Sequence, residues 1–103
     1  MKLIWDEKAL NQLKQVAWYI KKSFGVKRKN IYLREIHNAA NMLLTQPYMG
    51  ALDPQLSDRT KSYRSVIVNK LNKMVYYVEN DVVTIVAFWD CRRDSDQQSQ
   101  HLQ

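Results

Sequence analysis

Tyr63-Arg64-Ser65-Val66-Ile67-Val68, then Met74-Val75-Tyr76-Tyr77-Val78, then Val82-Val83-Thr84-Ile85-Val86-Ala87-Phe88-Trp89 running on to Cys91-Arg92-Arg93, is the stretch that decides the fold. The runs are short and rich in β-branched and aromatic residues, with Asn69-Lys70-Leu71-Asn72 and Glu79-Asn80-Asp81 between them. Such a pattern reads as successive strands joined by hairpins. In the first run, alternation places Arg64, Val66 and Val68 on one face and Tyr63, Ser65 and Ile67 on the other. The third run is apolar almost throughout and predicts a strand inside the sheet. Arginines at the edges of these strands carry planar, permanent charge that forks onto phosphate or carboxylate oxygens, so they predict a shared anionic docking surface.

Upstream, the period changes. Residues 2–5 read as a short first strand, and Asp6 as the N-cap of a helix over residues 7–24. Ala9, Leu13, Val16, Ala17, Ile20 and Phe24 form its apolar stripe, and Gly25 ends it. A second helix over 27–45 places Tyr32, Ile36, Ala39, Ala40, Leu43 and Leu44 on one face before Gln46-Pro47 stops it. The short link returns the second helix antiparallel, and the joint apolar face of the pair must bury itself on the sheet. Pro47-Tyr48-Met49-Gly50 and Asp53-Pro54 mark a connecting loop to about residue 60 with no clear periodicity.

With 103 residues, 46% hydrophobic and 25% charged, the chain predicts one domain over residues 1–94, followed by a polar, glutamine-rich tail over 95–103. No apolar run is long enough to span a bilayer, and Met1-Lys2-Leu3-Ile4-Trp5-Asp6 is too short for a signal peptide, so no membrane partner is expected and a cytoplasmic location is. Cys91 is the single cysteine, which leaves no internal disulfide and no cysteine-rich zinc motif; no metal or cofactor is expected. A net charge of +6 and a pI near 9.6 favour a polyanionic partner, nucleic acid or acidic protein. The bland alternative is a basic binding module whose lysines only solvate it.

A first strand, a long helix pair, Pro47-x-x-Gly50, Tyr63-Arg64, the tyrosine-rich strand at Tyr76-Tyr77 and the closing Arg92-Arg93, with Trp5 and Ala9 at the start, together resemble the RelE/ParE toxin superfamily over nearly the whole chain. The resemblance implies an α+β fold, β-α-α-β-β-β, with a helix hairpin packed on a mainly antiparallel sheet. It also implies the toxin of a type II toxin-antitoxin module, a plasmid-stabilisation and growth-inhibition device neutralised by a cognate acidic antitoxin.

The superfamily divides into ribosome-dependent messenger RNA endoribonucleases and toxins that poison DNA gyrase. RNA cleavage through a ribose 2′-hydroxyl requires a base, an acid and cations on the phosphorane. Arg64 and Arg92 best match the family's arginines. Lys61 or Asp58 would serve as base only with a strongly shifted pKa. The closing segment Trp89-Asp90-Cys91-Arg92-Arg93 lacks both the terminal tyrosine of the RelE-like ribonucleases and the histidine of related nucleases. Their absence and the long hairpin are more similar to the ParE branch, which binds gyrase instead of carrying an active site. Arg64, Arg92 and Arg93 are then target-binding residues, with pairing to Asp90 or Glu79 as their competing structural role. His37 and His101 are expected to be structural or solvent-exposed, Cys91 an ordinary thiol, and Trp5, Trp18 and Trp89 chiefly core residues.

Overall fold

The computed structural model describes residues 1–53 and 61–90. Seven elements follow in order: β1 (Lys2–Trp5), α1 (Glu7–Phe24), α2 (Val26–Thr45), β2 (Ala51–Leu52), β3 (Arg64–Val68), β4 (Asn72–Glu79) and β5 (Val82–Asp90). The five strands form one sheet in the order β1-β5-β4-β3-β2, parallel between β1 and β5 and antiparallel elsewhere. The α+β expectation holds, with a two-residue edge strand, β2, added to the expected β-α-α-β-β-β order. Strand β2 exists because Ala51 and Leu52 pair with Ser65 and Arg64. Strand β5 lies between β1 and β4, the interior position its apolar run predicts.

Local chemistry sets the element ends. The Asp6 carboxylate accepts from the Lys8 N–H at 2.7 Å and starts α1, while Gly25, at φ 95°, ends α1 and passes directly into α2. Asn80 and Asp81, with φ of 54° and 64°, make the tight β4–β5 turn, a backbone twist that matches the flanking strands. At the β3–β4 turn Asn69 and Lys70 take φ of 57° and 60°, and Asn72 belongs to β4 instead of the connection.

Both helices lie on one face of the sheet, α1 along β5 and α2 reaching β1 and β3. Between them Ala9, Leu13, Ile36, Ala40 and Leu43 meet Met74, Tyr76, Val83, Ile85 and Phe88. Burial of the larger of these side chains, the alanines aside, contributes roughly 1.5–3 kcal/mol each. Plain alternation along residues 82–89 puts Val83, Ile85, Ala87 and Trp89 on one face, but the structure divides them. A β-bulge shifts the partner of β4 from Ala87 (to Val75) to Ile85 (to Tyr76), leaving Val86 without a paired partner. Val83, Ile85 and Phe88 therefore join the helix-side core, while Ala87 and Trp89 pack with Val75, Tyr63 and Val86 on the other side. Beside the bulge, the Phe88 N–H donates to Gln12 Oε1 of α1 at 2.8 Å.

Two expected core positions, Phe24 and Trp18, are corrected. Phe24, placed on the buried stripe of α1, is exposed because the helix outruns the sheet there, and Trp18 is likewise exposed. Trp5 and Trp89 do pack inward, Trp5 with its ring 6.2 Å from that of Phe88.

Candidate target-binding surface

Three motifs that lie far apart in the chain meet at the C-terminal end of α2. Gly50 is buried, and its N–H donates to Tyr76 Oη at 2.9 Å. The Arg64 Nη1 donates to the carbonyl of Gly50 at 2.8 Å and more weakly to that of Tyr48 at 3.3 Å. Its guanidinium lies 5.2 Å from the Tyr48 ring centroid, close enough for a cation–π contact. A Cβ at position 50 would sit 2.7 Å from Tyr76 Oη and 2.9 Å from the Ser65 carbonyl, so only glycine lets the loop approach this closely. Burial pushes the Tyr76 hydroxyl above the ordinary tyrosine value of 10.0, against smaller opposing effects of the Gly50 N–H and the Arg64 charge. The phenol stays protonated and acts as a structural pin.

The neighbouring cations are also engaged. Lys61 Nζ is 3.0 Å from Glu79 Oε2 and 4.2 Å from the centre of the Tyr77 ring, which meets Tyr63 edge-on at 5.9 Å. The Glu79 hydrogen bond chiefly holds Lys61 above the ordinary lysine value of 10.5, the direction opposite to what a general base needs. Lys73 Nζ lies 2.9 Å from Asp53 Oδ2 and over the Trp89 ring. The alternative partner expected for Arg64, Glu79, is thus taken by Lys61, and Arg64 turns to backbone carbonyls. Arg92 and Arg93 lie outside the described residues, as do Asp58, Cys91 and His101, so their convergence with Arg64 stays an expectation. His37 is exposed on α2.

Sequence reading looked to the strands for free positive charge and missed where most of it lies. Residues 8–34 hold eight of the sixteen Lys and Arg residues and not one Asp or Glu, while the rest of the chain carries eight cations against ten carboxylates. The acid-free run is the signal that would have found it. In the structure this run covers nearly all of α1 and the first part of α2, and among the described residues none of its cations makes an ion pair with a carboxylate. At the hairpin apex Trp18, Tyr19, Phe24 and Val26 are all more than half exposed, with Lys22 Nζ 4.9 Å from the Trp18 ring centroid.

With this geometry in view, comparison places the chain. Residues 3–95 match the family described as the ParE toxin of type II toxin-antitoxin system, parDE. The chain belongs to the ParE toxin family. Among solved structures, a chain of the chromosomal ParDE TA system from P. aeruginosa superposes on this family member with a TM-score of 0.71 at 18% identity, over 87% of this chain and 95% of that one. That match bears on the fold: two helices on a five-stranded mixed sheet. A conserved hypothetical protein from Helicobacter pylori, known from a solution structure, aligns at 16% identity with a TM-score of 0.44, over 88% of this chain and 94% of that one. No curated protein matches. Among the described residues of this ParE family chain, no helix is long and apolar enough to cross a membrane.

Proposed function

We propose that this chain is the toxin of a type II toxin-antitoxin module that arrests growth in the cytoplasm by binding DNA gyrase, and that a cognate acidic antitoxin neutralises it. Family membership over residues 3–95 supports the toxin reading. The single observation favouring a binding toxin over a ribonuclease is the condition of the two candidate catalytic residues within the described segment. Arg64 is anchored to two backbone carbonyls, and Lys61 is held in its charged form by Glu79. Neither is poised to take a proton from a ribose 2′-hydroxyl. Arg64, Arg92 and Arg93 are proposed as contributors to the target-binding surface, Arg64 through the Tyr48 loop that it fastens. The antitoxin reading draws on charge: a protein of net charge +6 attracts an acidic partner, and a segment that orders on binding can cover both basic and apolar surface.

Two assays run in parallel test this reading. Purified protein added to gyrase and relaxed plasmid is expected to inhibit supercoiling or to trap cleaved DNA. Added to translating ribosomes, it is expected to leave messenger RNA intact. Transcript cuts abolished by Arg64→Ala, with gyrase unaffected, would replace the proposal with a RelE-like endoribonuclease. Coexpression with the product of the neighbouring reading frame is expected to restore growth and yield a copurifying complex. Unchanged growth on expression of the chain alone would reduce it to a nontoxic basic module.

A further inference from the structure

The apex of the helix hairpin combines two features that a free protein gains nothing by showing to water. The first is apolar area. Trp18, Tyr19, Phe24 and Val26 are 61%, 56%, 66% and 51% exposed. Four large apolar side chains exposed within nine residues of one hairpin mark an interaction site more readily than singly scattered ones do. The second is uncompensated charge. Lys21 and Lys22 close α1, which suits the negative end of its dipole. Lys27, Arg28 and Lys29 open α2, which has no acidic residue in its first turn and no side-chain cap. Three cations at the positive end of a helix dipole are unfavourable in the free protein, and a partner bringing carboxylates would relieve them.

Resting on the target-binding reading above, we infer that the hairpin apex is the toxin's anchor on its target: Trp18 and Phe24, on different flanks of α1, are gripped by an apolar cleft rimmed by carboxylates on an acidic protein. Charge complementarity selects an acidic occupant, and the apolar area selects a protein. A duplex would satisfy the lysines through its phosphates but offers Phe24 and Val26 no apolar seat. A flat bilayer would take only the tip at Phe24 and Val26. Trp18 stands six residues, about 9 Å along the helix, back from Phe24. Tyr19, one residue and about 100° further around, lies on another flank. Only a cleft closing around the hairpin reaches all of these side chains at once. Trp, Tyr and Arg are also the residue types that dominate binding energy at protein interfaces.

Growth arrest without antitoxin and gyrase inhibition by purified protein are measured side by side for the wild type, Trp18→Ala/Phe24→Ala, Lys27→Glu/Arg28→Glu and Ile67→Ser. The first variant is expected to lose growth arrest and to need roughly thirtyfold more protein for half inhibition, as for loss of an interface hot spot. The charge variant is expected to weaken inhibition and flatten its salt dependence. Ile67→Ser, which alters an exposed apolar residue on the helix-free face of the sheet, is expected to match the wild type. Circular dichroism melts confirm that the variants are folded, and antitoxin capture is expected to persist in all of them. If the wild type arrests growth but leaves gyrase untouched, the gyrase reading fails, and the arrest assay still judges the apex. If Trp18→Ala/Phe24→Ala arrests growth like the wild type, or loses only antitoxin capture, the anchor is overturned. It is equally overturned if binding to short duplex DNA or to phosphatidylglycerol vesicles falls in step with arrest, which would assign the apex to nucleic acid or lipid. A wild-type chain that neither arrests growth nor inhibits gyrase overturns both proposals.

Discussion

The two ends of α2 use positive charge in opposite ways. At its C-terminal end, Arg64 is fastened to the Tyr48 and Gly50 carbonyls, and Lys61 and Lys73 to Glu79 and Asp53. At its N-terminal end, a 20-residue helix and so about 30 Å away, Lys21, Lys22, Lys27, Arg28 and Lys29 face no carboxylate among the described residues. Residue type does not separate the two groups, whereas the supply of acceptors does. The sheet end brings Glu79, Asp53 and a loop turned carbonyl-first onto Arg64, while residues 8–34 contain no acid. Cations near acceptors are absorbed into folding, and cations without them stay available for a partner.

The comparison breaks most sharply at Gly50. Gly50→Val drives a side chain into Tyr76 and the Ser65 carbonyl, and is expected to cost about 3 kcal/mol in urea unfolding through overpacking and loss of the Gly50–Tyr76 hydrogen bond. A loss below about 1 kcal/mol would mean that the loop is not pinned. Next, Arg64→Ala is expected to cost about 2 kcal/mol in the same measurement, since it strands the part-buried Gly50 carbonyl and releases the Tyr48 loop. A cation merely displayed for a partner would change stability very little.

A smaller effect follows from pH. The folded-state pKa of Tyr76 is raised above its ordinary 10.0, so its contribution to stability is complete below pH 10 and is lost as pH rises through the folded value. Thermal melts across the alkaline range are expected to show stability declining there, with a shallower decline in Tyr76→Phe. At the other end of α2 the sign reverses. Lys27→Glu is expected to stabilise the free protein by about 0.5 kcal/mol, because it puts a carboxylate where the helix dipole favours one. Destabilisation by Lys27→Glu would show that the hairpin cations also serve the fold.

Much of the fold could be read before any coordinates. The Asp6 cap, the apolar stripe and Gly25 placed α1 over 7–24, as observed, and α2 begins one residue earlier than its expected start at 27. Asn80-Asp81 made a turn because both residues tolerate positive φ. Strand β2 was not legible, since Ala51 and Leu52 have no periodicity of their own and become a strand by pairing with β3. Tyr63-Arg64, Pro47-x-x-Gly50 and Tyr76-Tyr77 were each visible, but as separate motifs. That Gly50, Arg64 and Tyr76 form one fastening needed the sheet to bring residues 26 positions apart within 2.9 Å.

Local backbone preference and the spacing of apolar residues are properties of the chain itself, and they set the helices, the hairpins, the sheet-forming segment and the concentration of charge in residues 8–34. Pairing and end effects are not local. Only the assembled sheet decided that a bulge sends Ala87 and Trp89 away from Ile85, that Arg64 closes on carbonyls, and that the last turn of α1 leaves Phe24 in water. Each depends on which distant atoms come within contact, a quantity that side-chain periodicity along one segment does not contain.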